Sequence, residues 1–352
     1  MPTLSPHGAY LSSDDGPDRP TMADVARRAD VSIKTVSRVV NAEPGVSPAT
    51  AARVREIIDK LGFQRHADAT MLRTGRSDRI GLVATDLVNP FSGQLAAGIE
   101  REARVRRHLL ISTSSQQSAV NEAELVEALV AQRVAGLVVV PVETRPSEAL
   151  RAAARSVPVV CVDRPQPDLG VDTVLSDNEG GMRSAVEHLA AHRHECLGFL
   201  GDDGAIWTAR VRQAAFDSAA ASLALRGPLR SRVGPYEPGE IGRLLREWTS
   251  GPDPVTAVVT GNNRVTVAVL HAMREVGVPL ALVGYDDFEL ADVIDPPVTV
   301  VHQDPLGLGE RAVQQVFTRL AAGAGEPRTV IVPTRLIVRG SGRSEPVPTA
   351  MV

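Results

Sequence analysis

The chain holds only two cysteines, Cys161 and Cys196, in 352 residues. They sit in apolar runs of strand character, which excludes a disulfide framework and reads as small buried hydrophobes in a reducing compartment. No apolar stretch approaches the roughly 20 residues that a bilayer crossing needs. The first 20 residues lack the basic start and apolar centre of a secretory signal and read as a disordered leader. These absences predict a cytoplasmic protein with no membrane partner. Catalytic signatures are missing as well. No Ser/His/Asp or paired-carboxylate arrangement is legible, and Gly198 to Gly204 lacks the residue order of a dinucleotide or P-loop motif. The expectation is a protein without enzymatic activity, cofactor or metal. Lysine is nearly absent, with Lys34 and Lys60 alone.

What is present divides into two styles. A chain of this length suits two or three domains. Between Thr21 and Arg79 there are 11 Arg/Lys against 7 Asp/Glu, a surplus of four positive charges inside a chain whose net charge is −4. A basic N-terminal segment on an acidic body is the charge layout of a nucleic-acid headpiece, although many solvated helices are equally basic. The pattern has to carry the argument.

Thr21 to Asp24 has the spacing of a capping box, and Met22, Val25, Ala26 and Ala29 share one helical face. Asp30 to Ser32 breaks that helix, and Ser32 is placed to cap a second one through Val40. There Val36, Val39 and Val40 form the apolar stripe, while Lys34, Thr35, Ser37 and Arg38 point elsewhere. Ser47-Pro48 is a cap followed by a first-turn proline, and Gly62 stops the third helix, with Val54, Ile57, Ile58 and Leu61 inside. Three short helices with a tight turn between the first two make either a helix-turn-helix or a plain three-helix bundle. The hydrogen-bonding face of the second helix favours the former.

The run Thr21 to Asn41, continued by Val46 to Thr50 and Leu61 to Phe63, closely resembles the headpiece of the LacI/GalR family of bacterial transcriptional regulators. The resemblance implies that the second helix enters the major groove of operator DNA. Ile33, Lys34 and Arg38 then face base edges, with Arg38 able to bind guanine O6 and N7 bidentately. Thr21, Ser32, Thr35, Ser37 and Asn41 fall to phosphate contacts or helix caps. Residues 64–78 resemble the family's hinge helix, in which Leu72 would wedge into the minor groove and kink the DNA. A flexible tether fits the same residues. The segment also departs from the usual Pro-Asn-Arg-Ala-Ala: it has Arg65, His66, Ala67, Asp68 and Ala69 there.

From Arg79 onward, apolar strand runs alternate with helical segments. The strand candidates are 80–84, 109–113, 136–140, 158–162, 196–200, 257–260 and 281–284. Continuous apolar runs between amphipathic helices mean parallel sheets covered on both faces, and the length suggests two α/β subdomains. Stretches such as Asp86 to Phe91, Val162 to Pro165, Asp177 to Gly181 and Val283 to Asp287 extend the family resemblance to Arg343. They imply two doubly wound, parallel-sheet subdomains of the type I periplasmic-binding-protein kind. The expected domains are therefore a leader (1–20), a headpiece (21–63), a hinge (64–78), a sensor and dimerisation body (79–343) and a short tail (344–352).

Ligands of open α/β sheets bind beyond the carboxyl ends of the strands. The resemblance places effector contacts at Asn89, Pro90, Phe91, Asp163, Arg164, Arg183, Arg210, Asn262, Asp286 and Gln303. Carboxylates accept from hydroxyls, amides donate and accept, and Phe91 or Trp207 would stack on an apolar sugar face. Each of these residues would serve equally as a loop cap or an interdomain salt bridge. His188, His192 and His194 have spacing suggestive of a metal, but the matching family segment is an ordinary helix-loop-strand junction. The combined reading is a homodimeric repressor that reads a pseudo-palindromic operator and senses a small polar molecule such as a sugar or sugar derivative. A regulator gated by a protein partner, or a sugar-binding protein with no regulatory role, stays open.

Overall fold

The structure is a computed structural model describing residues 20–40, 43–63, 77–225, 227–323 and 325–343. Contacts group into two compact units, one within residues 1–75 and one within 76–352. Each is described by itself.

The first unit holds helices α1 (Met22–Ala29), α2 (Ile33–Val40) and α3 (Pro48–Leu61). Local chemistry sets their ends. Thr21 and Asp24 form a reciprocal capping box at the start of α1, satisfying N–H groups that the first turn leaves unpaired. Ser32 Oγ accepts from Thr35 N at 3.1 Å. Ser47 Oγ accepts from Thr50 N at 3.2 Å, with Pro48 in the first turn of α3. Gly62 closes α3 at φ 60°, where a side chain would be strained. Each helix gives one wholly buried valine, Val25, Val36 and Val54, to a core completed by Phe63.

The second unit runs β1 (Arg79–Ala84), α4 (Pro90–Val105), β2 (Leu109–Ser114), α5 (Ala119–Ala131), β3 (Gly136–Val139), α6 (Glu148–Ser156), β4 (Val159–Val162) and β5 (Asp172–Ser176). It continues through α7 (Asn178–Ala191), β6 (Leu197–Gly201), α8 (Trp207–Ser222), β7 (Arg230–Val233), α9 (Glu240–Trp248), β8 (Ala257–Thr260), α10 (Asn263–Val276) and β9 (Ala281–Tyr285). Last come β10 (Thr299–His302), α11 (Pro305–Ala322), β11 (Thr329–Val332) and β12 (Arg335–Ile337).

Two six-stranded sheets result, ordered β11-β5-β4-β3-β1-β2 and β12-β10-β9-β8-β6-β7. Every pairing is parallel except β12 against β10. Both sheets are covered on two faces: one apolar cluster lies on each side of the first and of the second. The two doubly wound lobes expected from the sequence are therefore present, with five strands more than the apolar runs indicated.

The chain passes between the lobes three times. After β5 it enters α7, which packs on the second sheet. After β10 it enters α11, which packs back on the first. After β11 it enters β12. Two of these crossings touch: Asp177 N donates to Val332 O at 2.9 Å, and Thr334 Oγ1 donates to Asp177 O at 3.1 Å. Close approach of α11 to α4 requires glycine, since a Cβ on Gly98 would stand 2.1 Å from Leu306 O.

Candidate DNA-reading helix and interlobe cleft

In the headpiece, Val36 and Val39 turn α2 toward the core. Ile33, 54% exposed, and Lys34 face solvent, while Thr35, Ser37 and Arg38 are half-buried. Two of the expected phosphate contacts already carry cap bonds. Thr21 Oγ1 lies 2.6 Å from Asp24 Oδ2, and Ser32 Oγ lies 2.9 Å from Thr35 Oγ1. Asn41 and Leu72 lie outside the described residues, as does most of the expected hinge.

In the body, a cleft opens between the lobes at the carboxyl ends of their strands, with a free volume of about 60 Å³. Asn89, Phe91, Asp163 and Arg164 line it from the first lobe, Asn262 and Asp286 from the second, and Gln303 from a crossing. Seven of the residues that the sequence pointed to thus meet in one place.

The loops after the strands position them. Asp163 and Asp286 follow β4 and β9, each at φ 66°, a region that side chains other than glycine occupy at a cost. Asn89 caps α4 and also accepts from Asn263 Nδ2 at 3.1 Å, across the cleft. Beside that bond, Asp86 and Arg264 form an ion pair between the lobes. Asn262 caps α10 through its Oδ1 and donates from Nδ2 to Asp202 Oδ2 at 2.6 Å.

Two expected residues lie elsewhere. Arg183 is an exposed residue on α7, lining a separate surface groove. Arg210 points out of α8 and donates back to Gly204 O and Ala205 O at 2.8 and 2.7 Å. The α8 arginine in the cleft is Arg212, 4% exposed. Its Nε donates to Asn178 Oδ1 and its Nη1 to Gly261 O, both at 2.7 Å. Its guanidinium lies 3.9 Å over the Tyr285 ring and 3.9 Å from Asp286. The signal was available: Thr208, Ala209, Arg212, Ala215, Phe216, Ala219 and Ala220 are the buried stripe of α8. Residues two positions apart on a helix are turned by about 200°, so Arg210 and Arg212 face opposite ways. Trp207 starts α8 without lining the cleft, leaving Phe91 as its aromatic wall.

Burial sets the protonation chemistry. It pushes the Asp286 carboxyl above its ordinary range, against the opposing pull of Arg212 and the Gln303 amide. Burial likewise lowers Arg164, against the nearby Asp163 and Asp202. The lining offers carboxylate and amide acceptors, guanidinium donors and the hydroxyls of Thr85, Ser92 and Thr208. That set suits a ligand rich in hydroxyls.

The remaining sequence candidates are structural. His188 and His192 stack at 4.6 Å, His194 Nδ1 pairs with Thr256 Oγ1 at 2.9 Å, and no metal-ligating cluster occurs among the described residues. Cys161 is buried; Cys196 is half-buried, one residue before β6. No helix among the described residues is long and apolar enough to cross a membrane.

Comparison with known proteins agrees with both units. Residues 21–66 match the family model "Bacterial regulatory proteins, lacI family", and 186–342 match a periplasmic binding protein-like domain. The chain is 31% identical to the ribose operon repressor of Escherichia coli (strain K12), over 91% of this chain and 99% of that one. It is 29% identical to the HTH-type transcriptional regulator PtxS of Pseudomonas putida, over 92% and 96%. Its fold matches the lac repressor dimer bound to operator and the anti-inducer ONPF, at a TM-score of 0.82 and 26% identity, covering 92% of this chain and 99% of that one. With these matches running nearly end to end, the chain belongs to the lacI family of bacterial regulatory proteins and is a DNA-binding transcriptional regulator.

Proposed function

We propose that this regulator is a homodimeric, non-catalytic repressor whose hold on operator DNA is set by a sugar or sugar derivative in the interlobe cleft. The convergence of seven family-implied polar and aromatic residues on one cleft carries the effector assignment. Relatives named as repressors and transcriptional regulators support the non-catalytic reading. The names of the relatives support the repressor and dimer readings. On this reading the regulator works in the cytoplasm, headpieces of both protomers read a pseudo-palindrome, and ligand in the cleft shifts the equilibrium between states of different operator affinity.

Ile33, Lys34 and Arg38 read base edges. Thr21, Ser32, Thr35, Ser37 and Asn41 hold phosphates or cap helices, and Leu72 enters the minor groove. The domain boundaries at 21, 63, 78 and 343 follow from the same reading. Arg38→Ala tests the headpiece. Operator affinity is expected to fall by about 1–3 kcal/mol, with binding to random DNA nearly unchanged, as read by fluorescence anisotropy on both duplexes. Equal loss on the two would make Arg38 a phosphate contact. For the cleft, a thermal-shift screen of sugars on the full chain should find one that raises the melting temperature and changes operator affinity.

A further inference from the structure

We propose, building on the effector reading above, that the cleft selects an uncharged monosaccharide and that its own carboxylates exclude sugar acids and sugar phosphates.

The lining carries four carboxylates, Asp86, Asp163, Asp202 and Asp286, against three guanidiniums, Arg164, Arg212 and Arg264. Two of the guanidiniums are already engaged, and the third is partly so. Arg264 is paired with Asp86 at the rim. Arg212 spends its Nε and Nη1 on Asn178 and Gly261, over the Tyr285 ring. Arg164 donates from Nη1 to Pro141 O at 3.1 Å and Gln117 Oε1 at 3.3 Å; its Nε, buried and without a hydrogen-bond partner, has the Asp163 carboxylate 3.8 Å away. An entering anion therefore meets no guanidinium without a carboxylate beside it. It would add negative charge where acidic groups already outnumber basic ones, among buried charges that bulk solvent screens poorly.

The start of α8 pulls the other way. Ile206 gives it no side-chain cap, and an open helix start favours negative charge. Asp202, on the loop just before, lines the same cleft and offsets that preference. The amides there suit a hydroxyl oxygen instead. Two carboxylates delivered from opposite lobes, Asp163 and Asp286, supply acceptors for hydroxyl groups at both ends of a ligand. Bonds between Asn89 and Asn263 and between Asp86 and Arg264 tie the rims together, so a disaccharide would have to break them.

The test uses the full-length protein and matched probes, by thermal shift and calorimetry. The neutral set is D-ribose, D-xylose, D-glucose, D-galactose and D-fructose. The charged set is D-gluconate, D-glucuronate, D-galacturonate, glucose 6-phosphate and ribose 5-phosphate; cellobiose and lactose complete the panel. At least one neutral monosaccharide should bind, with its acid or phosphate counterpart at least tenfold weaker and the disaccharides weaker still. Asp202→Asn keeps an acceptor for Asn262 and should narrow the neutral-to-acid ratio severalfold. An acid, phosphate or disaccharide that binds as tightly as the best neutral monosaccharide overturns the inference and leaves a sugar-sensing cleft standing. A folded Asp202→Asn protein with an unchanged ratio overturns the assignment of the exclusion to the carboxylates. No response to any probe removes the sugar effector itself.

Discussion

Asp163 and Asp286 end equivalent strands of the two lobes, β4 and β9, and their backbones are the same. Both have φ 66°, and both donate their N–H at 2.9 Å to the neighbouring strand, to Val174 O and Val301 O. Their partners differ. Asp163 has the arginine next to it in sequence, at 3.8 Å. Asp286 accepts from the Gln303 amide and faces Arg212, which comes from a helix 74 residues upstream. One fold thus supplies two acids of different kinds. The first has few bonds of its own, while the second is tied to a buried arginine that also bonds α7 and the loop after β8. The first-lobe acid is left open to the cleft; the second also holds its lobe together.

The sharpest way to break this contrast is to remove each arginine. Arg212→Ala strands Asn178 Oδ1, Gly261 O and the Asp286 carboxylate in a buried site. Losing one member of a buried charge pair costs about 3–5 kcal/mol. Arg164→Ala loses longer bonds to Pro141 and Gln117 and should cost about 1–3 kcal/mol. Urea unfolding of the two variants decides between them, and an Arg164→Ala loss as large as that of Arg212→Ala would erase the asymmetry.

The same contrast explains how much of the molecule the sequence discloses. Central strands such as Val159–Val162 and Ala257–Thr260 are buried on both faces and so appear as unbroken apolar runs. The strands that went unseen include the sheet edges Arg230–Val233 and Arg335–Ile337, which keep polar side chains because part of each meets solvent. Asp172–Ser176 hides for another reason: its buried Asp172 is paired with Arg319 from α11, a contact 147 residues away in the chain. Helix ends of the headpiece were legible because Thr21, Ser47 and Gly62 act within four residues of themselves. In the cleft, residues fixed by a strand end were found. Arg212 was not, because a charged side chain in a helix reads as surface unless its place on the buried stripe is checked.

A smaller effect follows from protonation. Burial raises the Asp286 carboxyl in the folded state above its ordinary value of 3.8. The folded protein therefore binds a proton that the unfolded chain has already lost. Where the native state holds more protons, stability falls as pH rises. This contribution is fully present below the ordinary aspartate range and is lost as pH climbs toward the raised value. Asp286→Asn should flatten that part of the stability curve, as followed by urea midpoints across the acid range. An unaltered slope would show that another group titrates there.

The finest distinction is between Asp163→Gly and Asp286→Gly. Glycine accepts φ 66° without the strain that a side chain carries there, which stabilises the folded state. It also loosens the unfolded chain, which costs about 0.4–1 kcal/mol. At Asp163 these two effects nearly cancel, since its carboxylate has only the 3.8 Å approach to Arg164 and a longer-range attraction to Arg212 to lose. The variant should unfold within about 1 kcal/mol of the parent. At Asp286 the same exchange leaves the buried Gln303 amide without its acceptor and Arg212 without its facing carboxylate, so a further cost of about 1–3 kcal/mol is expected. Both changes remove a carboxylate from the cleft, so both should abolish the change in operator affinity caused by effector. Matched unfolding curves and operator titrations with and without effector separate the two roles. Equal stability losses would mean that the second-lobe acid is no more structural than the first. A surviving effector response in Asp163→Gly would mean that the first-lobe acid does not touch the ligand.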